Sequence, residues 1–213
     1  MHIAEGVAPA YVAAGGVVAA AIGVGLGLRV MKDEQIPRAA LMTAVIFTAS
    51  VVIRLPLGPS GVHPLLNGLA GIVLGWAAFP AFLVCLFLQA LFFQFGGITT
   101  LGINTIVMGL PAVTCFYLYG RQLRQCRNPR VGFVWGAAAG ATALLMSFTL
   151  WALALILCDK NLTIFAQIAA IPNLVLVVIE AVFTGFAASF LVRVYPEALS
   201  VPRLINERES AVS

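Results

Sequence analysis

VGFVWGAAAGATALLMSFTLWALALILC, residues 131–158, runs for 28 positions without a charged side chain. A helix needs about 20 mostly apolar residues to cross the hydrocarbon core of a bilayer, so this stretch reads as a membrane span. Its neighbours follow the same pattern. Upstream lie Val7–Val30, closed by Arg29, Lys32, Asp33 and Glu34; Pro37–Leu57, ended by Pro56, Gly58 and Pro59; His63–Phe79; Pro80–Phe95; and Leu101–Gly120. Downstream, the long apolar stretch after Leu162 contains Pro172. Proline removes a helical donor and clashes one turn back. The reading is a loop or partial helix over Asn161–Ile171 and a seventh span over Pro172–Val194. The expected fold is all-α: one polytopic bundle of about seven transmembrane helices filling residues 1–213.

The whole composition agrees. The chain is 62% hydrophobic and 9% charged, against about 25% charged in soluble domains. That excludes a soluble enzyme, a disordered chain and a nucleic-acid-binding domain. The net charge of +4 is less informative than where the charges fall. With the N-terminus outside, Arg29, Lys32, Arg38, Arg121, Arg124, Arg127, Arg130, Arg193, Arg203 and Arg208 lie on the cytoplasmic side, leaving Arg54 and Lys160 outside. Basic residues favour the cytoplasmic side, so the expected orientation is N-terminus out and C-terminus in. No basic region precedes the first apolar run, which argues for an uncleaved first helix.

Chemical groups are scarce. Glu180 is the one carboxylate well inside a span, and pairing with a polar group of the bundle is its expected role. No phosphate-binding Gly-x-x-x-x-Gly-Lys-Ser/Thr loop and no His-Glu-x-x-His pair occur. The chain is therefore expected to be non-catalytic. Cys85, Cys115, Cys126 and Cys158 form no close pair and read as small hydrophobes. Small residues spaced by four, at Gly15, Ala19, Gly23 and Gly27, at Ala40 and Ala44, and at Gly136 and Gly140, suit close helix packing within the chain.

The two histidines, His2 and His63, both fall on the expected outer side. A histidine at position 2 can chelate. The Met1 amine, the His2 amide nitrogen and the His2 imidazole Nδ1 close a five- and a six-membered ring around one metal. His63 could fill the fourth corner of the plane. Such an all-nitrogen square suits Ni(II) or Cu(II), and Co(II) can adopt it. On these two residues alone, the alternative is a surface histidine at a frayed end and a second one in a loop.

The sequence around them narrows the choice. Met1-His2-Ile3-Ala4-Glu5-Gly6, Gly58-Pro59-Ser60-Gly61-Val62-His63, Leu88-Gln89-Ala90-Leu91-Phe92-Phe93 and Gly96-Gly97-Ile98-Thr99-Thr100-Leu101-Gly102-Ile103-Asn104 form an ordered set. This set resembles the CbiM/NikM family, the substrate-binding membrane subunits of energy-coupling-factor transporters for cobalt and nickel. The likeness runs through the first five spans; the final third matches in hydropathy and length. It implies a bundle of about seven helices in the cytoplasmic membrane of a bacterium or archaeon, with Met1, His2 and His63 holding the metal. Co(II) or Ni(II) would be the transported substrate, with no resident cofactor. The implied partners are a transmembrane coupling subunit, a pair of cytoplasmic ATPases and, in some systems, a small accessory membrane subunit.

Metal-bound imidazoles usually donate their second N–H to a neighbour. Glu5, Ser60, Thr99, Thr100 and Asn104 are the candidates on the expected outer side, with Asn104 preferred; Glu5 could instead cap the first helix. Two other functions stay open: a stand-alone secondary transporter or channel for divalent metal, and a membrane scaffold or assembly protein.

Overall fold

The computed structural model describes residues 2–53, 55–57 and 60–199. Met1, Arg54, Arg203 and Arg208 lie outside the described residues. Seven α-helices follow in order: α1 (Ala10–Val30), α2 (Ile36–Val52), α3 (Asn67–Leu74), α4 (Ala78–Phe93), α5 (Leu101–Gln125), α6 (Pro129–Cys158) and α7 (Thr163–Val194). Between α2 and α3 a short antiparallel hairpin pairs β1 (Leu55–Leu57) with β2 (Ser60–Val62), Leu55 opposite Val62. The bundle is all-α apart from this hairpin, which occupies the end of what the sequence suggested as the second span.

Among the described residues, six stretches are long and apolar enough to cross a membrane: 10–30, 33–52, 67–93, 101–125, 129–158 and 163–194. The expected third and fourth spans, 63–79 and 80–95, thus share one such stretch, broken at a 3-10 turn over Gly75–Ala77. Gly75 has φ 58°, which lets the backbone turn there. With eight residues, α3 is about 12 Å long and covers less than half of an apolar core about 30 Å thick. It is preceded by non-helical residues 63–66.

The neighbours of α3 and α4 show that they run in opposite senses. Gly71 of α3 packs on Ala112 of α5, and farther along Trp76 donates to the Tyr117 hydroxyl at 2.8 Å. So α3 descends parallel to α5. The Phe79 ring of α4 lies on Gly109, and α4 ends in the turn that leads into α5, so α4 returns antiparallel to it. Gln89 of α4 donates to Ser50 of α2 at 2.7 Å, joining those two helices.

Glycines set the other close approaches. A Cβ on Gly16 or Gly102 would run into the facing helix of the α1–α5 pair. Gly23 and Gly27 of α1 face Phe79 and Trp76, while Gly136 and Gly140 of α6 face Ala188 and Thr184 of α7. These members of the small-residue stripes pack inside the chain. Gly15, Ala40 and Ala44 do not; they are exposed. Among the cysteines, Cys85 and Cys115 are buried free thiols, and Cys126 and Cys158 are half-buried free thiols.

Pro172 does not divide the last stretch: α7 is continuous for 32 residues. The expected loop over 161–171 is therefore mostly helix. Asn173, beside the proline, donates its side-chain amide to the Ala169 carbonyl at 2.7 Å, one turn back. That carbonyl is next to the Ile168 carbonyl, whose helical donor Pro172 removes. At Pro111 in α5 the freed carbonyl itself finds a donor. The Val107 carbonyl, which loses its helical donor to that proline, accepts from Ser147 of α6 at 2.8 Å. Asn67 at the start of α3 donates in turn to Ser147 at 2.6 Å.

The helix directions gather the described basic residues Arg29, Lys32, Arg38, Arg121, Arg124, Arg127, Arg130 and Arg193 at one end of the bundle. Arg38 fastens that end by donating to the Ala198 carbonyl at 3.1 Å. His2 and the start of α5 lie at the other end, with Lys160.

Candidate metal centre

Before α1 begins at Ala10, residues 2–9 are not helical. Such backbone is tolerated at membrane depth only when protein satisfies its polar groups. Here the residues leading into α5 do so. Ile3 donates its N–H to Asn104 Oδ1 at 2.9 Å, and its carbonyl accepts from Asn104 Nδ2 at 3.1 Å. The same carbonyl accepts from the Thr100 hydroxyl at 2.8 Å. Glu5 donates its N–H to the Gly96 carbonyl at 3.0 Å, and its carboxylate accepts from the Thr99 N–H at 3.2 Å. The N-terminal segment is thereby drawn into the bundle, and Ile3 is 1% exposed.

Gly96 makes this approach possible. It has φ 78°, and a Cβ there would lie 3.0 Å from Asn104 Nδ2 and 3.5 Å from His2 Cβ. Both glycine's conformational freedom and its lack of bulk are used.

The result is a buried histidine pair. His2 is 3% exposed and His63 2%, so neither is a surface residue, although both lie in non-helical segments. Their Nε2 atoms are 2.9 Å apart, and the rings stack with centroids 4.8 Å apart at 23°. His63 Nδ1 lies 3.0 Å from the Pro64 carbonyl. A carbonyl only accepts, so His63 Nδ1 carries a proton and its Nε2 holds a lone pair. For two neutral rings, the bond between them then places a proton on His2 Nε2 and leaves a lone pair at His2 Nδ1.

The residues expected to orient the imidazoles make other contacts in the fold. Asn104 and Thr100 hold the Ile3 backbone, one residue beyond His2. Thr99 takes part through its backbone N–H. Glu5 does not cap α1, which starts five residues later; it ties the N-terminal segment to the turn before α5. Ser60 sits in β2, its backbone opposite Leu57. The group that orients the His63 ring is the Pro64 carbonyl, which was not among the candidates. The His-Pro dipeptide was its one sequence signal, since a residue before proline is confined to extended conformations.

Sequence reasoning also left Glu180 without a site role. It is 1% exposed, and its Oε1 accepts the N–H groups of both Leu65 and Leu66, the latter at 2.8 Å. Its partner is thus the backbone just after His63.

Comparison with known proteins decides the family. The profile of the CbiM family, "cobalt uptake substrate-specific transmembrane region", matches residues 2–198. The chain belongs to this family. The match extends the likeness past α5, through α6 and α7. A putative metal transport protein of Haemophilus influenzae is 34% identical over 94% of this chain and 97% of its own length. A putative fused cobalt transport protein CbiMQ of Methanocorpusculum labreanum is 28% identical over 100% of this chain, which covers 38% of that longer protein. The crystal structure of a truncated transition metal transporter shares the fold, with a TM-score of 0.66 at 22% identity over 90% of this chain and 98% of that one. This CbiM-family member is a multi-pass membrane protein of cobalt or nickel uptake.

Proposed function

We propose that this chain captures Co(II) or Ni(II) with nitrogen ligands from Met1, His2 and His63, and that partner subunits hydrolysing ATP drive its transport. The observation that carries the ligand set is the buried His2–His63 pair, with Nε2 atoms 2.9 Å apart. Metal–nitrogen bonds of about 2.0–2.1 Å place adjacent ligand nitrogens at a similar spacing. The terminal chelate uses His2 Nδ1, whereas Nε2 is the His2 atom nearest His63. Binding therefore requires the His2 ring to turn, exchanging its hydrogen bond to His63 for a shared metal. Asn104 and Thr100 hold the adjoining backbone while the ring moves.

The orientation follows the basic residues. The end carrying Arg121, Arg124 and Arg130 faces the cytoplasm, and the histidine pair faces out. The name of the fused CbiMQ relative, in which a region like this chain is joined to another component, supports assembly with further membrane subunits. The partners are a coupling subunit and two ATPases, with an accessory membrane subunit in some systems.

Ni(II) titration of untagged protein, followed by optical absorption, tests the site. Acetylation of the N-terminus, or an N-terminal tag, is expected to abolish the square-planar spectrum. Unchanged affinity would rule out the terminal amine as a ligand. For energy coupling, vesicles holding this chain alone under an ion gradient are expected not to accumulate metal. Uptake there would favour a secondary transporter instead.

A further inference from the structure

Glu180 is a carboxylate in the middle of α7 with a hydrogen-bonding pattern that leads back to His63. Its Oε1 accepts two successive N–H groups, from Leu65 and Leu66. Its Oε2 is buried and has no hydrogen-bond partner among the described residues. The bonds that this side chain makes to other described residues thus go to the three-residue link between His63 and α3.

That link needs holding. Leu66 has φ 51°, in the left-handed region that costs a branched side chain energy unless its surroundings fix it. The segment is not helical, so its N–H groups require acceptors in an apolar interior. From there to the imidazole the path is stiff. Pro64 has a fixed φ and restricts His63 to extended backbone. The His63 ring is closed back onto the Pro64 carbonyl at 3.0 Å. The Glu180 carboxylate, the Leu65–Leu66 amides, Pro64 and the His63 ring form one short chain of constraints.

We infer that Glu180 is a positioning residue for the His63 ligand: by clasping the amides of Leu65 and Leu66, it makes α7 set the height and direction of the imidazole. Displacement of α7 would then be felt at the metal centre without any group of α7 touching the ion. The inference rests on His63 being a ligand, and the test separates the two claims.

The variants are Glu180→Leu, Glu180→Gln, Glu180→Asp and His63→Ala, with the double variant of the first and last. All are made in the full chain with its native N-terminus. Ni(II) affinity is measured by competition, Cu(II) paramagnetic resonance counts bound nitrogens, and hydrogen exchange follows the Leu65 and Leu66 amides. Glu180→Leu is expected to lower Ni(II) affinity by about 10–100-fold, as loss of outer-shell partners does. Its Cu(II) spectrum should fall to that of His63→Ala, and its amides should exchange faster. The double variant should be no weaker than His63→Ala. Glu180→Gln keeps an oxygen that can accept both N–H groups and should stay near the native affinity. Native exchange rates in Glu180→Leu overturn the clasp whatever the metal does. Native affinity, or a loss that adds to that of His63→Ala, overturns positioning through His63. If Glu180→Leu does not fold, Glu180→Asp, one methylene shorter, is the deciding variant: weaker binding supports the inference and native binding overturns it. Native nitrogen count in His63→Ala would overturn the ligand reading and this inference with it, while the exchange data still report the clasp.

Discussion

The histidine end of the bundle and the α6–α7 pair solve the same problem in opposite ways. In α6 and α7, 30 and 32 residues satisfy most of their backbone bonds within their own helices. Their contact is made of small residues, with Gly136 against Ala188 and Gly140 against Thr184. At the other end, residues 2–9 and 63–66 leave the helix altogether. Their backbone is held by side chains from distant parts of the chain: Asn104 of α5, Thr100 just before it and Glu180 of α7. Continuous helix is the cheap solution for spanning lipid. Irregular backbone costs side-chain partners, and it occurs here beside the two histidines. The contrast separates a region of plain helix packing from the region that holds the two histidines.

Substitutions should respect that division. The largest effect is expected from His2→Ala, which removes one chelate ring and a histidine contact together. Ni(II) titration should show loss of the planar site, with melting temperature changing far less; retention of the planar spectrum would contradict the site. Asn104→Ala should follow, since it frees both polar groups of Ile3. Outer-shell losses of this kind cost about 10–100-fold in metal affinity, and competition titration would detect it. Acidification should weaken binding progressively, because protons compete for the amine, the amide and the imidazoles. The sign is fixed: affinity falls as pH falls, and a pH-independent affinity would exclude a deprotonated amide.

The α6–α7 side should give the reverse pattern. Gly136→Ala places a methyl against the Thr184 carbonyl at 2.7 Å and the Ala188 side chain. It should lower the melting temperature in detergent through overpacking, typically about 1–3 kcal/mol, with a loss of Ni(II) affinity smaller than that of Asn104→Ala. Ser147→Ala should have the smallest effect, about 1–3 kcal/mol or less, by stranding the Val107 carbonyl beside Pro111. A loss of metal affinity from either variant as large as that of Asn104→Ala would break the division.

How much of this was legible in the sequence differs between the two regions. The apolar run at 131–158 became α6 almost unchanged, because length and hydropathy alone specify a spanning helix. His2 and His63 could be singled out because the chain has only two histidines, one at the position where a chelate ring can close. Their burial was not legible, since it depends on Asn104 gripping Ile3 about a hundred residues away. The length of α3 was hidden as well: Gly75 sits in an apolar run that gives no polar break. Pro172 misled in the opposite direction. Its local rule predicts a break, and packing of α7 along α6 overrides it. Glu180 stood out by its charge, but its partners are backbone amides, which no residue pattern marks.

The central claim is that His2 and His63 share one metal ion with the chain's amino terminus. Nickel X-ray absorption on untagged protein, loaded with one equivalent of Ni(II), tests it most directly. The account predicts the edge of a four-coordinate planar ion with an all-nitrogen shell and scattering from two imidazoles, one of which disappears in His63→Ala. A six-coordinate, oxygen-dominated shell, or a spectrum untouched by His63→Ala, would contradict it.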